Sequence, residues 1–371
     1  MKITAQVFLL LLSFCTFSFQ LSSATLQEFT KTIKKEFDIT ADGNTSISNK
    51  HGKVDINTWN QNKVKIEVLI KVETSKEANA QKALDAIDIQ FSNSANSVSA
   101  ETVFDKILDN FWSNNNQAKL SVDYVVYLPA TNNLELRHKH GHASIDDMAA
   151  KVMIEFRHGE FRAGQLGSEA KIDMAHSKGF FSSTGPLNAN VSHGSLSAER
   201  AGEVDLDIRH ATFDLKNGGY INSASGHSQL RLGAITGFQT NSSSHDRIQI
   251  GTAEMVQVNG SHTTMKIEKA SKVLNLDMSH GGCSAGLGND FSEVILVGSH
   301  TSFGVDVGSG AAFKMEASTE YGGLSYPNGM DVQYHVEKNN SKTIKGSLGG
   351  SNSNSLLKAR LSHGSLKVNQ M

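Results

Sequence analysis

The sequence predicts an all-β protein built as a β-solenoid, and two observations carry this prediction. The first is a His-Gly step, or a close variant of it, that returns about every 17 to 18 residues through the C-terminal two thirds of the chain. The second is an alternation of apolar and polar residues on both sides of each step. A fixed period of this length is typical of repeat architectures, and alternation at period 2 indicates strands with one buried face. Histidine occupies the step at His140, His158, His176, His193, His210, His227, His245, His262, His280, His300 and His363, and Tyr321 takes the same slot once.

Each repeat predicts a strand, a corner, a second strand and a second corner. Ile154 and Phe156 stand four and two residues before His158, whereas Phe161 and Ala163 stand three and five residues after it. The buried parity therefore slips by one residue at the step, which in a regular strand would send every later side chain to the wrong face. We expect the chain to bend or bulge there and assign that special backbone to the glycine. By the parity of the preceding strand, we expect the histidine to point inward at the corner.

Two topologies fit this unit: stacked coils of parallel strands, or a meander of β-hairpins that turn at His-Gly. Hairpin turns favour Asn-Gly or Asp-Gly, and a meander gives no reason for a constant repeat length. Stacked coils need equal perimeters, so the solenoid is favoured, with coils about 4.8 Å apart along the axis.

The N-terminus predicts a secretory signal peptide. Met1-Lys2 is followed by an apolar run over 7–19 and by the small residues Ser22, Ser23 and Ala24, the order that such a peptide shows. We therefore expect residues 1–24 to be a signal peptide that is cleaved after Ala24, and the mature protein to be secreted, periplasmic or associated with the cell envelope.

Residues 25–132 predict a β-rich cap, followed by the solenoid over 133–371. They contain one copy of the repeat, at His51-Gly52, several alternating stretches and one helix over 76–89 with Ser75 as its N-cap. Such a unit could cover an open end of the solenoid, and solenoids need caps because an exposed terminal coil is an unpaired sheet edge.

Composition excludes some classes of partner. A net charge of −2 gives no electrostatic reason to expect nucleic acid, and no second stretch is long and apolar enough to span a membrane. The mature chain keeps one cysteine, Cys283, in a slot where other repeats have Leu, Phe or Ile. We expect it to be a small buried hydrophobe rather than a reactive thiol.

The opening of the mature chain resembles a known family. The segment Ser46-Ile47-Ser48-Asn49-Lys50-His51-Gly52-Lys53-Val54-Asp55-Ile56-Asn57-Thr58-Trp59 is similar to the start of the putative adhesin family of bacterial secreted proteins, and Ser192-His193-Gly194-Ser195-Leu196 and Ser362-His363-Gly364-Ser365-Leu366 are similar to its coil motif. The resemblance covers nearly the whole mature chain. It implies a β-solenoid with a helix-containing cap and a role in adhesion, and it brings no catalytic residues. The regular histidine departs from the family's pattern.

The histidines allow two interpretations. In the first they form a structural ladder of neutral imidazoles that bond to the backbone or to each other; its members are His176, His193, His210, His227, His245, His262, His280 and His300. In the second, a metal site forms where His138, His140 and His142 alternate along one strand, with His158 one coil away. Alternation would place the first three on one face, and imidazole is a good ligand for zinc, copper or nickel.

An enzyme is the most distant alternative. Glu155 and Asp173, each three residues before a step histidine, would lie on adjacent coils at a separation near that of retaining glycosidases. A solvated polar stripe gives the same pattern, and fold analogy alone does not justify an activity.

The sequence as a whole therefore predicts a non-catalytic, adhesin-like or envelope scaffold protein without a cofactor. The sequence leaves the partner open: the outward face can meet a glycan or a protein at the cell surface, and it can equally be only a solvated surface. A metal- or pH-responsive binding protein that works through its histidines is the second hypothesis, and a glycan-active β-helix enzyme is the third.

Overall fold

The computed structural model describes residues 26–106, 108 and 118–371. The predicted signal peptide lies outside these residues. In the described part of the chain, no helix is long and apolar enough to cross a membrane.

Among the residues that the structure describes, the N-terminal part contains six strands and one helix with both ends described. They are β1 (Gln27–Asp38), β2 (Asn44–Trp59), β3 (Lys63–Thr74), α1 (Glu77–Asp85), β4 (Ile87–Ser94), β5 (Ser97–Phe104) and β6 (Lys119–Pro129). The predicted helix over 76–89 is too long at its C-terminal end, because the alternation of buried Ile87 and Ile89 already belongs to β4. Its N-cap is Lys76 rather than Ser75, and no side chain caps the helix.

The middle of the chain is the β-solenoid that the repeat predicted. Its strands are β7 (Asn133–Ile145), β8 (Val152–Gln165), β9 (Ala170–Ser183), β10 (Leu187–Ser192), β11 (Ser195–Ala201), β12 (Val204–Arg209), β13 (Thr212–Gly226), β14 (Gln229–Ser244), β15 (Arg247–Ser261), β16 (Thr264–Ser279), β17 (Gly282–Leu287), β18 (Glu293–Ser299) and β19 (Ser302–Val307). Successive coils pair in parallel, as β7 does with β8 and β14 with β15. The parallel register excludes the hairpin meander, whose neighbouring strands would run antiparallel.

The interior is filled by in-register columns of apolar side chains. Leu196, Phe213, Leu230, Ile248 and Met265 follow one another from coil to coil, and each is buried. The next member of this column is Cys283, whose thiol pKa burial raises to about 12. Cys283 is therefore part of the core, as expected from its slot.

The C-terminal strands do not stack in the order of the sequence. They are β20 (Phe313–Glu320), β21 (Leu324–Ser325), β22 (Asp331–Lys338), β23 (Ser341–Leu348), β24 (Leu356–Ser362) and β25 (Ser365–Gln370). β24 pairs in parallel with β18 on one side and with β20 on the other. The last coil of the chain therefore lies between the coil of β18 and β19 and the coil of β20 and β21.

Antiparallel strands end the parallel stack on both sides. At the C-terminal side, β23 pairs antiparallel with β20, and β22 pairs with β23. At the N-terminal side, the first coil is β2, which pairs in parallel with β7. Beyond β2, the strands β5 and β6 pair antiparallel with β4 and β3.

Candidate functional site: a column of exposed histidine rings

The step histidine carries the unusual backbone of every coil. Its φ lies between 50° and 66° in all twelve copies, and Tyr321 has a φ of 54° in the same slot. Among the glycines that follow the step histidines, only Gly52 has a positive φ. The assignment of the special backbone to glycine was therefore wrong for the other copies. The left-handed region is uncommon for residues other than glycine, although Asn, Asp and His enter it more readily than most.

This backbone also reverses the expected direction of the histidine side chain. The prediction of an inward histidine was wrong: His51 is half-buried, and the other eleven step histidines are exposed. The left-handed residue absorbs the one-residue slip in parity, so its own side chain leaves the core while the strands on both sides keep their apolar faces inside.

The following glycine is required for a different reason, which is close approach between coils. A Cβ on Gly141 would lie 1.8 Å from the backbone oxygen of Gly52, and one on Gly159 would lie 1.9 Å from that of Gly141. A side chain at these positions would overlap the coil below.

The exposed rings stack into one continuous column, which we call the histidine column. In spatial order its members are His51, His140, His158, His176, His193, His210, His227, His245, His262, His280, His300, His363 and Tyr321. Neighbouring ring centroids are 4.5 to 5.1 Å apart, and the ring planes deviate from parallel by 1° to 13°. Thirteen rings at the coil spacing make a column on the order of 60 Å long.

The N-terminal end of the column is flanked by basic side chains. We define the basic segment as His51, His140, His158 and His176. Five basic residues lie within two sequence positions of these four histidines: Lys50, Lys53, Lys139, Arg157 and Lys178. The same stretches contain His142 and one acidic residue, Glu160. Arg157 also pairs with Asp173 at 3.0 Å.

A second stretch, towards the other end of the column, is flanked by hydroxyl groups. We define the hydroxyl segment as His262, His280, His300 and His363, each preceded by a serine and without a charged residue within two positions. Serine Oγ atoms lie 3.4, 3.2 and 3.1 Å from Nδ1 of His262, His300 and His363. His245, at the edge of this segment, has its Nδ1 2.9 Å from Ser244 Oγ, but Arg247 stands two positions beyond it.

The pKa values at the start of the column are lowered. Burial, and then the charges of His140, Lys50 and His138, lower the pKa of His51 to about 4. The ring of His140 is exposed at its edge, but it is stacked between His51 and His158. Partial loss of water is the first cause that lowers its pKa, followed by the charges of His158, Lys50 and Lys139. This end of the column therefore favours neutral imidazoles.

The predicted metal cluster is not assembled. His138 is 1% exposed and lies inside the solenoid, where its Nε2 is 3.2 Å from the oxygen of Gly52. His140 and His142 are exposed, so the expected common face was wrong, because the left-handed residue at His140 interrupts the alternation. His140 and His158 do become neighbours, with centroids 4.8 Å apart. Within residues 26–106, 108 and 118–371, no group of three or more His, Cys, Asp or Glu side chains is arranged to hold a metal ion.

The structural ladder needs a similar revision. Its eight members stack on one another, but on the outside of the coils, and the only side-chain hydrogen bonds described for them join Nδ1 to a preceding serine. The one described imidazole that bonds to backbone is the buried His138. The eight rings are therefore regularly stacked, but they are not part of the core.

The two carboxylates of the enzyme hypothesis lie on adjacent coils, as expected. Glu155 and Asp173 are paired positions of β8 and β9. Each carboxylate is engaged by an arginine: Arg137 lies 3.5 Å from Glu155, and Arg157 lies 3.0 Å from Asp173. A pair of carboxylates held in this way belongs to a solvated ionic surface.

The fold is similar to that of several solved structures. These include a putative adhesin from Parabacteroides merdae, which is 10% identical with a TM-score of 0.30 and covers 91% of this chain and 95% of its own. A putative adhesin from Parabacteroides distasonis is 8% identical with a TM-score of 0.28, covering 91% of this chain and 97% of its own. A putative cell adhesion protein from Clostridium sporogenes is 10% identical with a TM-score of 0.19, covering 92% of this chain and all of its own.

No family model matches the sequence. No curated protein matches it either.

Proposed function

We propose that this protein is a non-catalytic, adhesin-like binding protein that acts outside the cytoplasm and uses the histidine column as its contact surface. The observation that carries the proposal is the column itself: twelve histidines and one tyrosine, in register along the stacked coils, with eleven of the histidines exposed. A solenoid offers such a surface to an extended partner, because each coil presents an equivalent side chain at a constant spacing.

The choice of histidine needs an explanation beyond the backbone. A left-handed residue other than glycine costs about 1–2 kcal/mol, and Gly or Asn would meet the same backbone demand more easily. The imidazoles that stand there instead lie outside the coils, so they contribute nothing to the packing of the core. Unfavourable backbone conformations that recur at one place motivate a functional hypothesis, and binding through the imidazoles is the simplest one.

The chemistry of the surface favours binding over catalysis. Imidazole offers a hydrogen-bond donor and an acceptor at its ring edge, and the stacking of the rings leaves these edges open for repeated weak contacts to a glycan or a protein. The carboxylates considered for catalysis are held in ion pairs with arginine. The proposed partner class is therefore a surface glycan or protein.

The test compares two variants of residues 25–371 for binding to arrayed glycans and to immobilised extracellular-matrix proteins. The column variant carries Asn at His158, His193 and His227. Its matched control carries Ser at Asn188, Asp205 and Asn222, which form an exposed column on the flat face of neighbouring coils. We expect the column variant to lose at least tenfold in affinity and the control to bind as the wild type does. Equal binding by all three proteins would contradict the proposal.

A further inference from the structure

We propose that the hydroxyl segment binds a divalent transition metal ion, such as Zn²⁺ or Cu²⁺, between neighbouring imidazoles. This proposal does not depend on the partner of the adhesin-like function. It concerns His262, His280, His300 and His363, none of which belongs to the metal cluster expected from the sequence.

The serines prepare these imidazoles for coordination. When Nδ1–H donates to the preceding serine Oγ, Nε2 carries the free lone pair. Imidazoles that bind a metal commonly use their other nitrogen in such a hydrogen bond, which fixes the tautomer and the ring orientation. Distances of 3.4, 3.2 and 3.1 Å at His262, His300 and His363 fit this arrangement.

The spacing of the rings allows two neighbours to reach one ion. Centroids in this segment are 4.8 to 4.9 Å apart. Two nitrogens bound to one zinc at about 2.0–2.1 Å in a tetrahedral site lie roughly 3.4 Å apart. The ring planes are parallel to within 5°, so the Nε2 lone pairs of two neighbours point in the same direction. To share an ion, both rings must turn about their Cβ–Cγ bonds until the lone pairs converge, which opens the stack at that pair and which the exposed position of the side chains allows. Water or a ligand from a partner would fill the remaining positions.

Electrostatics separate this segment from the other end of the column. No charged side chain lies within two positions of its four rings. In the basic segment, Lys50, Lys139, Arg157 and Lys178 stand beside equally stacked rings, and their charges oppose the approach of a cation. The chain thus contains its own control, with the same ring geometry in a different charge environment.

The experiment is a calorimetric titration of residues 25–371 with Zn²⁺ at pH 7.5. The hydroxyl-segment variant carries Asn at His262, His280 and His300, and the basic-segment variant carries Asn at His140, His158 and His176. Asn tolerates the left-handed backbone, and thermal melts without metal verify that both variants are folded. We expect at least one zinc per wild-type chain, a loss of tenfold or more in affinity in the hydroxyl-segment variant, and a change below about twofold in the basic-segment variant.

A second pair of substitutions tests the role of the serines. Ser261→Ala and Ser299→Ala remove the partners of Nδ1 and leave every imidazole in place, so they should weaken zinc binding about tenfold. Titration with Cu²⁺ followed by electron paramagnetic resonance should show coordination by imidazole nitrogen in the wild type. Absence of zinc binding, equal loss in both segment variants, or loss only in the basic-segment variant would overturn the proposal. None of these results bears on the glycan and protein binding assay, which is carried out with a chelator present.

Discussion

At the scale of single residues, the step histidine and the residue after it solve different problems. The histidine adopts the left-handed backbone that keeps both flanking strands in phase with the core. Glycine follows where the coil below comes so close that a Cβ would overlap its backbone oxygen, as at Gly141 and Gly159. The two residues of the His-Gly corner therefore meet different requirements: a left-handed backbone at the histidine and the absence of a Cβ at the glycine.

The first prediction concerns pH and His51. Because burial lowers its pKa in the folded protein to about 4, the unfolded chain, with an ordinary value near 6.5, binds the proton first. The stability that neutral His51 contributes is present above about pH 6.5 and is lost as pH falls towards 4. We expect a loss of about 1 kcal/mol between pH 7.5 and 5, after allowance for solvent screening of this half-buried group.

Denaturant unfolding at the two pH values checks this. His51→Asn should reduce the pH dependence, and Tyr321→Asn is the control because it replaces a ring at the other end of the column and leaves every imidazole in place. A pH dependence that is the same in His51→Asn and in the wild type would show that His51 is not its source. A residual dependence is expected, because burial lowers the pKa values of His138 and His140 as well.

The second prediction compares two glycines. Gly141→Ala should cost roughly 3 kcal/mol of unfolding free energy, because its Cβ would lie 1.8 Å from the oxygen of Gly52 and 2.6 Å from Nε2 of His138. Gly304→Ala should change the unfolding free energy by less than about 1 kcal/mol, because no atom lies within 4 Å of the Cβ it would add. Similar melting temperatures for the two variants would refute the close approach of the coils at Gly141.

At the scale of elements, the last coil of the sequence is an internal coil of the stack. β24 makes seven parallel pairs with β18 and seven with β20. The histidine column follows space rather than sequence here: His363 stacks between His300 and Tyr321, with centroid distances of 4.8 and 4.9 Å. The C-terminal residues thus join the main stack to the coil of β20 and β21.

The third prediction follows from this position. Removal of residues 349–371 should lower the melting temperature by more than about 10 °C or split the transition in two, because it exposes a strand edge on each side of the missing coil. Circular dichroism melts measure this. Removal of Met371 alone is the control. This residue lies outside β25, and its removal costs one backbone hydrogen bond, from the Met371 N–H to the oxygen of Val307. A truncated protein that melts like the wild type would show that the coil is dispensable.

At the scale of the whole molecule, the two ends are protected from pairing with other copies. The parallel stack passes into antiparallel strands at both ends. The outermost strand at the C-terminal side, β22, is almost entirely exposed and carries Asp331, Glu337 and Lys338. Charged side chains on an edge strand discourage further pairing.

The fourth prediction tests this protection. Deletion of residues 331–348 removes β22 and β23 and leaves β20 with a free edge, so we expect dimers or larger assemblies in light scattering coupled to gel filtration. A control variant with Ala at Glu337 and Lys338 keeps the hairpin. Its particle mass in solution should equal that of the wild type. A deletion variant with the same number of chains per particle as the wild type would show that β22 and β23 are not needed to prevent association at this edge.

The sequence alone determined the coil. The period of 17 to 18 residues, the alternation of apolar positions and the parity slip at the histidine were enough to predict a β-solenoid with buried columns that include Cys283. These features are local, because each depends on the spacing of residues within one repeat. The helix over Glu77–Asp85 was also predicted, although its C-terminal end was not, because a short helix and a following strand share apolar residues at the boundary.

The tertiary structure decided the properties of the site. One dihedral angle per coil determines whether the histidine points into the core or out to solvent, and the parity of the preceding strand does not reveal that angle. The same angle, at His140, places His138 inside the solenoid and His140 outside it. The metal site expected from the alternation of His138, His140 and His142 therefore does not form. The order of the C-terminal coils also lies beyond the repeat pattern, because equal coils fit on one another in any order. Only long-range pairing selects the order and brings His363 between His300 and Tyr321.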